Sequence, residues 1–415
     1  MTADRLVMKF GGTSVADIER IRNVARHVQR EVGAGKKVAV VVSAMAGQTD
    51  KLVGWTREAS PMHDAREYDC VVASGEQVTA GLLAIVLQGM GIAARSWQGW
   101  QIPIRTDGVH GAARILDIDA EEIASRMDEG QVAIVAGFQG LAPDNRISTL
   151  GRGGSDTSAV ALAAALSARC DIYTDVDGVY TSDPRIVEKA QKLDRISYEE
   201  MLEMASLGAK VLQTRSVELA MNKRVALQVR SSFDAPDADN MSNNPGTVVC
   251  DEEDIVEQEI VSGITYARNE AKVTLTNVKD KPGVAGSIFG PLADSEINVD
   301  MIVQNVSADG KTTDMTFTVP ENDLERALKV IKDARDDIKY EDLNGSTNVV
   351  KVSVIGVGMR SHAGVAAKMF KVLAEKGINI QAITTSEIKV SVLIDAAYTE
   401  LALRSLHSAY GLDAE

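Results

Sequence analysis

Apolar residues recur in two alternating patterns over roughly the first 230 residues of the chain. Short runs rich in β-branched residues predict buried strands at residues 6–10, 38–43, 132–137 and 171–174. Between these runs, apolar residues return at helical spacing. The first helix is predicted to begin at Ser14, with Asp17 three residues later completing a capping box. This alternation of strands and helices predicts an α/β fold with a largely parallel sheet.

The pattern changes near residue 234. Residues 234–246 are rich in Asp, Asn, Pro, Ser and Gly, and an acidic stretch follows at residues 251–254. Such turn-forming composition indicates a domain boundary, although a surface loop inside one domain is the alternative. We therefore expect a first domain over residues 1–245 and a linker, or a strand contributed to a C-terminal module, over 246–262. Two further domains are expected over residues 263–345 and 346–415.

The C-terminal part contains an internal repeat. Residues 283–298 and 364–379 match without a gap at eight of sixteen positions, at a constant offset of 81. Each copy has a β-rich run, a loop, an amphipathic helix and a further extended segment. The ungapped register favours duplication of one unit over chance similarity between two β-α-β segments.

Charge and composition narrow the classes of partner. The net charge is −15, so a phosphate backbone would be repelled and nucleic acid is not an expected partner. The sequence shows no secretory leader and no apolar run near the roughly 20 residues that span a bilayer, which favours a cytoplasmic protein without a membrane partner. Cys70, Cys170 and Cys250 lie too far apart to suggest a disulfide framework or a metal site.

One segment has the chemistry of a phosphate site. An apolar strand over residues 6–10 leads into Gly11 and Gly12 and then into a predicted helix, with Lys9 near the end of the strand. Glycines allow backbone N–H groups to approach an anion, and a helix N-terminus adds partial positive charge. The spacing of a P-loop is absent. A Gly-Gly turn alone is most often plain turn chemistry.

The segment Lys-Phe-Gly-Gly-Thr-Ser at residues 9–14 resembles the opening of the aspartate kinases, in the amino acid kinase family. Further resemblances follow in the family's order, at residues 42–45, 74–76, 150–159, 174–185 and 208–211. The resemblance extends over essentially the whole chain. It implies an amino-acid-kinase-type α/β sandwich that uses MgATP to phosphorylate the β-carboxylate of aspartate.

The resemblance also assigns roles to individual positions. The implied catalytic residues are Lys9, Gly11, Gly12, Asp156 and Lys210. The implied substrate residues are Ser43, Met45, Thr49, Glu76, Arg152, Gly153, Gly154 and Ser155. The implied ATP residues are Lys9, Phe10, Gly11, Gly12, Ser43, Thr174, Asp175, Tyr180, Asp183, Arg185, Lys210 and Val211.

These assignments are chemically coherent. A carboxylate acceptor is already ionised at neutral pH, so the task is to bring two anions together and to stabilise the charge on the transferring phosphoryl group. Lys9 and Lys210 suit that task, and Asp156 would hold the lysines in position. Arg152 suits a bidentate clamp on the α-carboxylate of aspartate, and Glu76 suits its α-ammonium. Mg²⁺ would be held mainly by phosphate oxygens, without a dedicated protein site.

The repeats resemble the ACT domain, a ferredoxin-like α+β fold that binds small amino acids. This implies feedback inhibition by lysine, threonine or both, and a homo-oligomer formed through these domains. A truncated regulatory subunit started at Met241 is a further expectation. The effector-binding positions implied are Asp280, Gly283, Val284, Ala285, Asn298, Val299, Asp300, Gln304, Asn305, Ala363, Gly364, Val365, Asn379, Ile380, Ser386 and Glu387. A purely structural, dimerising role for the repeats is the alternative.

Three rival functions remain open at this point. The chain could phosphorylate glutamate or acetylglutamate, could be a catalytically silent amino-acid sensor, or could be a nucleotide kinase of the same fold. The chain ends shortly after the second repeat, so a monofunctional kinase is expected, without a fused homoserine dehydrogenase.

Overall fold

The computed structural model describes residues 5–208, 211–236, 245–255, 260–308 and 310–414. Lys210 and Met241, both singled out above, lie outside the described residues. The chain forms two compact units. The described residues of the first fall within Met1–Val179, Lys192–Ser206 and Lys210–Val256, and those of the second within Tyr180–Gln191, Leu207–Ala209 and Glu257–Glu415.

The strands found in the described part of the first unit form two sheets. They are β1 (Arg5–Phe10), β2 (Lys37–Val42), β3 (Ala94–Trp97), β4 (Ile104–Thr106), β5 (Ile115–Ile118), β6 (Val132–Ala136), β7 (Gln139–Leu141), β8 (Ile147–Thr149), β9 (Arg169–Thr174), β10 (Arg195–Ser197), β11 (Leu227–Ser231) and β12 (Thr247–Cys250). Among the described residues, the larger sheet has the order β10-β12-β11-β9-β1-β2-β6-β3. Its pairs from β11 to β3 are all parallel, and β12 lies antiparallel to β11. The smaller sheet has the order β5-β4-β7-β8. The mainly parallel α/β fold is thus confirmed.

Helices cover the larger sheet. They are α1 (Ile18–Gly33), α2 (Gln48–Ala59), α3 (Ala65–Val72), α4 (Ser74–Gly89), α5 (Glu121–Asp128), α6 (Gly154–Ala165), α7 (Tyr198–Ser206) and α8 (Thr214–Lys223). One core cluster joins the buried faces of β1, β2 and β6 to α1 and α4. Because both faces of parallel strands are covered, β2 reads as a continuous apolar run and β1 as an apolar run interrupted by Lys9, with five of their six residues buried in each case.

Two expectations about this unit are wrong. The first helix begins at Ile18, with Asp17 as its N-cap accepting from Arg20 N at 2.8 Å, and residues Gly12–Val15 form a separate 3₁₀ turn. Ser14 is instead buried and donates to the Ser232 hydroxyl at 2.8 Å. The strand within residues 246–262 pairs with β11 in the larger sheet, so it is not contributed to the C-terminal module.

In its described residues, the second unit contains two antiparallel sheets with similar helices. Its strands are β13 (Gly263–Ala267), β14 (Glu270–Lys279), β15 (Asp300–Val306), β16 (Thr312–Pro320), β17 (Asp342–Ser346), β18 (Val349–Ile355), β19 (Ile380–Thr385) and β20 (Lys389–Asp395). Its helices are α9 (Val284–Asp294), α10 (Leu324–Asp333), α11 (Arg335–Ile338), α12 (Val365–Glu375) and α13 (Thr399–Ala409). The sheet orders are β15-β16-β14-β17 and β13-β18-β20-β19. The first of these sheets is packed against α9, α10 and the short α11, and the second against α12 and α13.

The two repeats are interleaved along the chain. β13 pairs with β18, so this strand completes the second sheet although it precedes the whole first repeat. The expected division at residues 263 and 346 is wrong on this point. Residues 180–191 also belong to the second unit, because Ile264 N donates to Thr181 O at 2.7 Å and Ile186 and Val187 are buried in the second repeat's core.

One helical stretch, Ala65–Gly89, is long and apolar enough to cross a membrane by length and composition alone. Half of its most apolar window is buried inside the unit, and it carries the buried carboxyl groups of Asp69 and Glu76. A helix of a protein core meets the same test, so the stretch is weak evidence for a membrane. No long unbroken apolar run is visible in the sequence of this stretch, because Arg66, Glu67, Asp69 and Glu76 interrupt it.

Candidate active site

The parallel strands of the first unit end together at one edge of the sheet. Their hydrogen-bond ladder continues one residue past each end: Ser43 N donates to Phe10 O at 3.1 Å, and Gly137 N donates to Val42 O at 3.0 Å. Ser232 N likewise donates to Thr174 O at 2.8 Å. The loops after β1, β2, β6, β9 and β11 therefore lie side by side. In open parallel sheets this edge is where ligands bind.

A buried ion pair lies at the centre of this edge. The Nζ of Lys9, on β1, is 2.5 Å from Oδ1 of Asp156 in the first turn of α6, and both side chains are only about one-tenth exposed. A buried charge needs such a partner. The two catalytic candidates that lie 147 residues apart are thus brought together, and the cation is held at the end of the strand that precedes the glycine turn.

The turn at Gly11 and Gly12 packs closely against the groups around it. A Cβ at Gly12 would lie 3.0 Å from Ala44 O, and one at Gly11 would lie 3.4 Å from Lys9 Nζ. A side chain at Gly12 would therefore press on the neighbouring loop, whereas one at Gly11 would come into van der Waals contact with the cation. Phe10 differs from its assignment, because its ring is buried and stacks on Tyr173 at 4.5 Å. Its side chain therefore supports the sheet, and only backbone atoms remain for a nucleotide.

Glu76 is an acidic residue of this edge whose pKa is shifted far from its ordinary value. It lies in the first turn of α4 with 3% of its surface exposed, and its Oε1 accepts a hydrogen bond from Ala44 N at 3.1 Å. Its Oε2 has no hydrogen-bond partner among the described residues. Burial raises the pKa of Glu76 to about 7. A buried carboxylate oxygen without a donor is suited to receiving a cationic group.

The loop that carries Arg152 is shaped by glycines. Gly151 and Gly153 have φ values of 72° and 74°, and a Cβ at Gly153 would overlap the Gln213 side chain. Arg152 itself is exposed, and its guanidinium has no ion-pair or hydrogen-bond partner in the part of the chain that the structure describes. It remains available for an anion.

The remaining substrate candidates surround these groups. Ser43 and Met45 are half-buried in the loop after β2, and Thr49 follows in the first turn of α2. Gly154 and Ser155 are buried at the start of α6, where a Cβ at Gly137 would lie 2.9 Å from Ser155 Oγ. The loops after β2 and β6 and the start of α6 therefore line one surface.

The ATP candidates are divided between the two units. Thr174 ends β9 and its hydroxyl donates to Asp175 at 3.1 Å, within the first unit. Tyr180, Asp183 and Arg185 belong to the second unit, where the Asp183 carboxylate accepts from Arg185 at 2.8 Å and from the Tyr266 hydroxyl at 3.2 Å. The Asp183 carboxylate and the Arg185 guanidinium thus form an ion pair with each other. Val211 is half-buried. The roles of this set stay predictions.

The effector candidates of the first repeat lie at two ends of its sheet. Asp280 N donates to Lys311 O at 2.9 Å, and Lys279 and Val306 pair with the adjacent residues Thr312 and Thr313. One end therefore holds Asp280, Gly283, Val284, Ala285, Gln304 and Asn305. The other end holds Asn298, Val299 and Asp300. Asp300 lies about 13 Å along β15 from Gln304, and the full strand of seven residues, about 20 Å, separates it from the loop at Asp280.

The second repeat divides in the same way. Ala363, Gly364, Val365, Ser386 and Glu387 lie near the pair Ile355–Lys389, whereas Asn379 and Ile380 lie near the opposite end of β20. One small ligand cannot touch both groups of a single repeat. The effector candidates of each repeat therefore lie at two separate ends of its sheet, and their roles stay predictions.

Some residues that shape this edge were not indicated by the sequence. Asp69 is fully buried and binds the loop over residues 107–113 and the end of β8. Arg215 donates to the carbonyl oxygens of Leu150 and Ala113 at 2.7 Å each. The available signal was an acidic residue directly before the apolar run at residues 70–73, seven positions before Glu76.

The fold and this edge define a class of enzyme, the kinases that act on small carboxylic and amino acids. Residues 4–231 match the model of the amino acid kinase family, and residues 274–334 and 352–410 match that of the ACT domain. The repeat is thereby confirmed. Similar proteins include an aspartate kinase of Stutzerimonas stutzeri, 53% identical with 99% of this chain and 98% of that protein covered. An aspartokinase of Helicobacter pylori is 48% identical, with 98% of this chain and 99% of that protein covered.

A solved structure is similar to this chain over nearly its whole length. Aspartokinase III of E. coli in complex with aspartate and ADP has a TM-score of 0.79 at 26% identity, covering 97% of this chain and 99% of that one. The chain belongs to the amino acid kinase family and, within it, to the aspartate kinases.

Proposed function

We propose that the chain transfers the γ-phosphoryl group of ATP to the β-carboxylate of L-aspartate, giving 4-phospho-L-aspartate. One observation carries the proposal: the buried Lys9–Asp156 pair and the unpaired Oε2 of Glu76 lie at the same edge of the sheet. The first group suits a phosphoryl group and the second suits an ammonium. A ligand that joins an amino acid to a triphosphate satisfies both.

The chemistry at the acceptor requires no general base, since the β-carboxylate is ionised at neutral pH. Catalysis then depends on positioning and on neutralising charge as the phosphoryl group moves. Lys9 supplies a fixed cation, and the turn at Gly11 and Gly12 leaves backbone N–H groups accessible. We place Mg²⁺ on the phosphate oxygens, where it neutralises charge when bound, because it retains much of its hydration and needs few protein ligands.

The acceptor is selected through its α-groups. Arg152 is an exposed guanidinium without a described partner, and it can take the α-carboxylate in bidentate fashion. Glu76 takes the α-ammonium through Oε2. With both α-groups held, only the β-carboxylate is free to face Lys9. A longer acceptor such as glutamate would displace its reacting carboxylate by one methylene, about 1.5 Å, which is enough to lose alignment.

The proposal is tested by measuring ADP release from MgATP with the purified full chain and a panel of acceptors. Aspartate should support turnover, and added hydroxylamine should trap the acyl phosphate as aspartyl hydroxamate. Glutamate, N-acetylglutamate and a nucleoside monophosphate serve as matched acceptors. Turnover with one of these and not with aspartate would assign a different kinase. Binding of lysine or threonine without ADP release would assign a sensor.

We further propose that the ACT repeats inhibit the enzyme when lysine, threonine or both bind, as the first step toward lysine, threonine and methionine requires. Aspartokinase III of E. coli has also been solved in complex with lysine and aspartate, in a T-state structure that is 27% identical with a TM-score of 0.75. We expect the enzyme to be a homo-oligomer joined through these repeats and to work in the cytoplasm, where ATP is available. A truncated regulatory subunit remains part of this proposal.

Two variants separate the two ends of the first repeat. Asp280→Ala changes the loop end and Asn298→Ala changes the opposite end, and both residues are accessible to solvent. The variant at the true effector end should raise the half-inhibitory concentration of the effector about tenfold, the loss of one charged hydrogen bond of ~1.4 kcal/mol. Uninhibited turnover should not change. Lys329→Ala, an exposed residue of α10, is the control.

Inhibition is measured with lysine and threonine, alone and together. If both variants keep the wild-type inhibition curve, the effector site lies outside the first repeat. Asn379, which the offset of 81 aligns with Asn298, is then replaced by Ala in the second repeat and measured in the same assay.

A further inference from the structure

A buried carboxylate outside the catalytic set connects three elements of the first unit. Asp69, on α3, is fully buried, and its carboxylate oxygens accept from His110 Nδ1 at 2.7 Å and from Gly111 N at 3.1 Å. The Thr149 hydroxyl donates to the same group at 2.5 Å. Because a carboxylate only accepts, His110 carries its proton on Nδ1 here. The acid is thus satisfied by donors from two separate segments.

Both segments border the loop that carries Arg152. Thr149 is the last residue of β8 and lies three residues before Arg152. Gly111 packs directly against the same loop, since a Cβ at Gly151 would lie 3.2 Å from Gly111 O. Thr149 O also accepts from Ala113 N at 2.9 Å. The Asp69 carboxylate therefore anchors both supports of the Arg152 loop.

The same helical segment carries Glu76. Asp69 and Glu76 lie seven residues apart on α3 and α4, a rise of about 10 Å along a helix. Ala73, between the two helices, keeps helical dihedrals of −64° and −14°. One segment therefore binds the Arg152 loop through Asp69 and the loop after β2 through Glu76.

We propose that Asp69 is a positioning residue for the acceptor substrate: it fixes the Arg152 loop at the distance from Glu76 at which both α-groups of aspartate are held together. The inference rests on the proposed function of Arg152 and Glu76. Asp69 touches neither substrate nor ATP in this proposal, and its effect passes through Thr149 and His110. Loss of the anchor should weaken the grip on the α-carboxylate and leave ATP binding intact.

The test compares Thr149→Val with Thr149→Ser. Valine removes the hydroxyl at nearly constant volume, whereas serine keeps the donor. Thr149→Val should raise KM for aspartate about tenfold, equivalent to ~1.4 kcal/mol, with KM for ATP within about twofold of the wild type. Thr149→Ser should stay close to the wild type. Tyr198→Phe is the matched control, because it removes another buried hydroxyl, which donates to Val225 O at 2.7 Å on the far side of the sheet.

A second readout separates positioning from general weakening. The ratio of kcat/KM for aspartate to that for its α-amide reports the grip on the α-carboxylate, and Thr149→Val should lower it about tenfold. In an Arg152→Lys background the same substitution should lower it no further, because the contact it acts through is already lost.

Several results would overturn the inference. An unchanged KM for aspartate in Thr149→Val, an equal rise in both KM values, or additive effects with Arg152→Lys would each do so. If Thr149→Val does not fold, His110→Ala removes one donor to Asp69 and should shift the aspartate KM and the α-amide ratio in the same direction. Wild-type protein without aspartate-dependent ADP release would instead refute the proposed function.

Discussion

Replacing Lys9 with Met should reduce kcat by about three orders of magnitude or more, the scale seen when a group that stabilises transition-state charge is removed. Lys9 contributes the buried cation next to the glycine turn, and its Nζ is fixed at 2.5 Å from Asp156. Methionine keeps the length and apolar stem of the side chain and removes only the charge. Steady-state and single-turnover measurements of ADP release with aspartate check the effect.

This experiment must distinguish loss of folding stability from loss of catalysis. Lys9→Met leaves the Asp156 carboxylate buried without its partner, which destabilises proteins by roughly 3–5 kcal/mol. The double variant Lys9→Met/Asp156→Asn removes both charges and should recover thermal stability without recovering turnover. Lys37→Met, on the neighbouring strand and paired at the surface with Asp128, is the control and should keep full activity. Turnover within tenfold of the wild type in folded Lys9→Met would contradict the role of Lys9.

The central strands of the first unit could be predicted because their signal is local. Strands β1, β2 and β6 were placed within one residue at each end and β9 within two, since buried parallel strands read as mainly apolar runs. The start of α1 was misplaced because two hydroxyl or acidic residues, Ser14 and Asp17, both qualify as caps. The choice between them depends on Ser232, a residue distant in sequence that accepts a hydrogen bond from the Ser14 hydroxyl.

The interleaving of the two repeats could not be predicted from the internal similarity. Comparing the two copies finds the segments that they share, and β13 lies before both of them. Its pairing with β18 brings together residues about ninety positions apart. The same limit applies to the effector residues. Short motifs in the sequence do not show that the residues before β15 and those near its last residue lie at opposite ends of the sheet.

In the candidate site, the charged residues beside turn-forming residues could be predicted from the sequence. The residues that hold them in place could not. Lys9, Glu76 and Arg152 each stand next to turn-forming residues, which drew attention to them. Asp69 stands between apolar helical residues, and only the tertiary structure shows that its partners are His110, Gly111 and Thr149. Buried polar networks of this kind are assembled by the fold and leave no local spacing in the sequence.

Replacing Glu76 with Gln should raise KM for aspartate about a hundredfold near pH 8, the loss of ~3 kcal/mol from a charge-assisted contact with the α-ammonium. Glutamine keeps the acceptor for Ala44 N and removes the negative charge. KM for ATP should stay close to the wild type, because the ammonium lies on the acceptor and not on the nucleotide. An unchanged KM for aspartate would refute the assignment of Glu76 to the substrate.

The pKa of Glu76 adds a pH dependence with a definite sign. Burial raises this pKa from 4.5 to about 7 in the free protein, and a bound ammonium would lower it again. Aspartate binding therefore releases a proton, so KM for aspartate should fall about tenfold between pH 6 and pH 8 and then level off. Glu76→Gln should abolish this slope. Glu200→Gln, at another buried glutamate that accepts from Ser197 N at 3.1 Å, should leave it unchanged.

The same shift should appear in the stability of the free protein. Between pH 4.5 and about 7 the folded chain keeps a proton on Glu76 that the unfolded chain has lost. The contribution of this group to the free energy of unfolding therefore falls as pH rises through that window. Glu76→Gln, which cannot ionise, should gain stability relative to the wild type at pH 8 and lose that gain toward pH 5. Saturating aspartate should stabilise the wild type at pH 8 much more than the variant, because the stability that burial of Glu76 removes is restored only when an ammonium pairs with it.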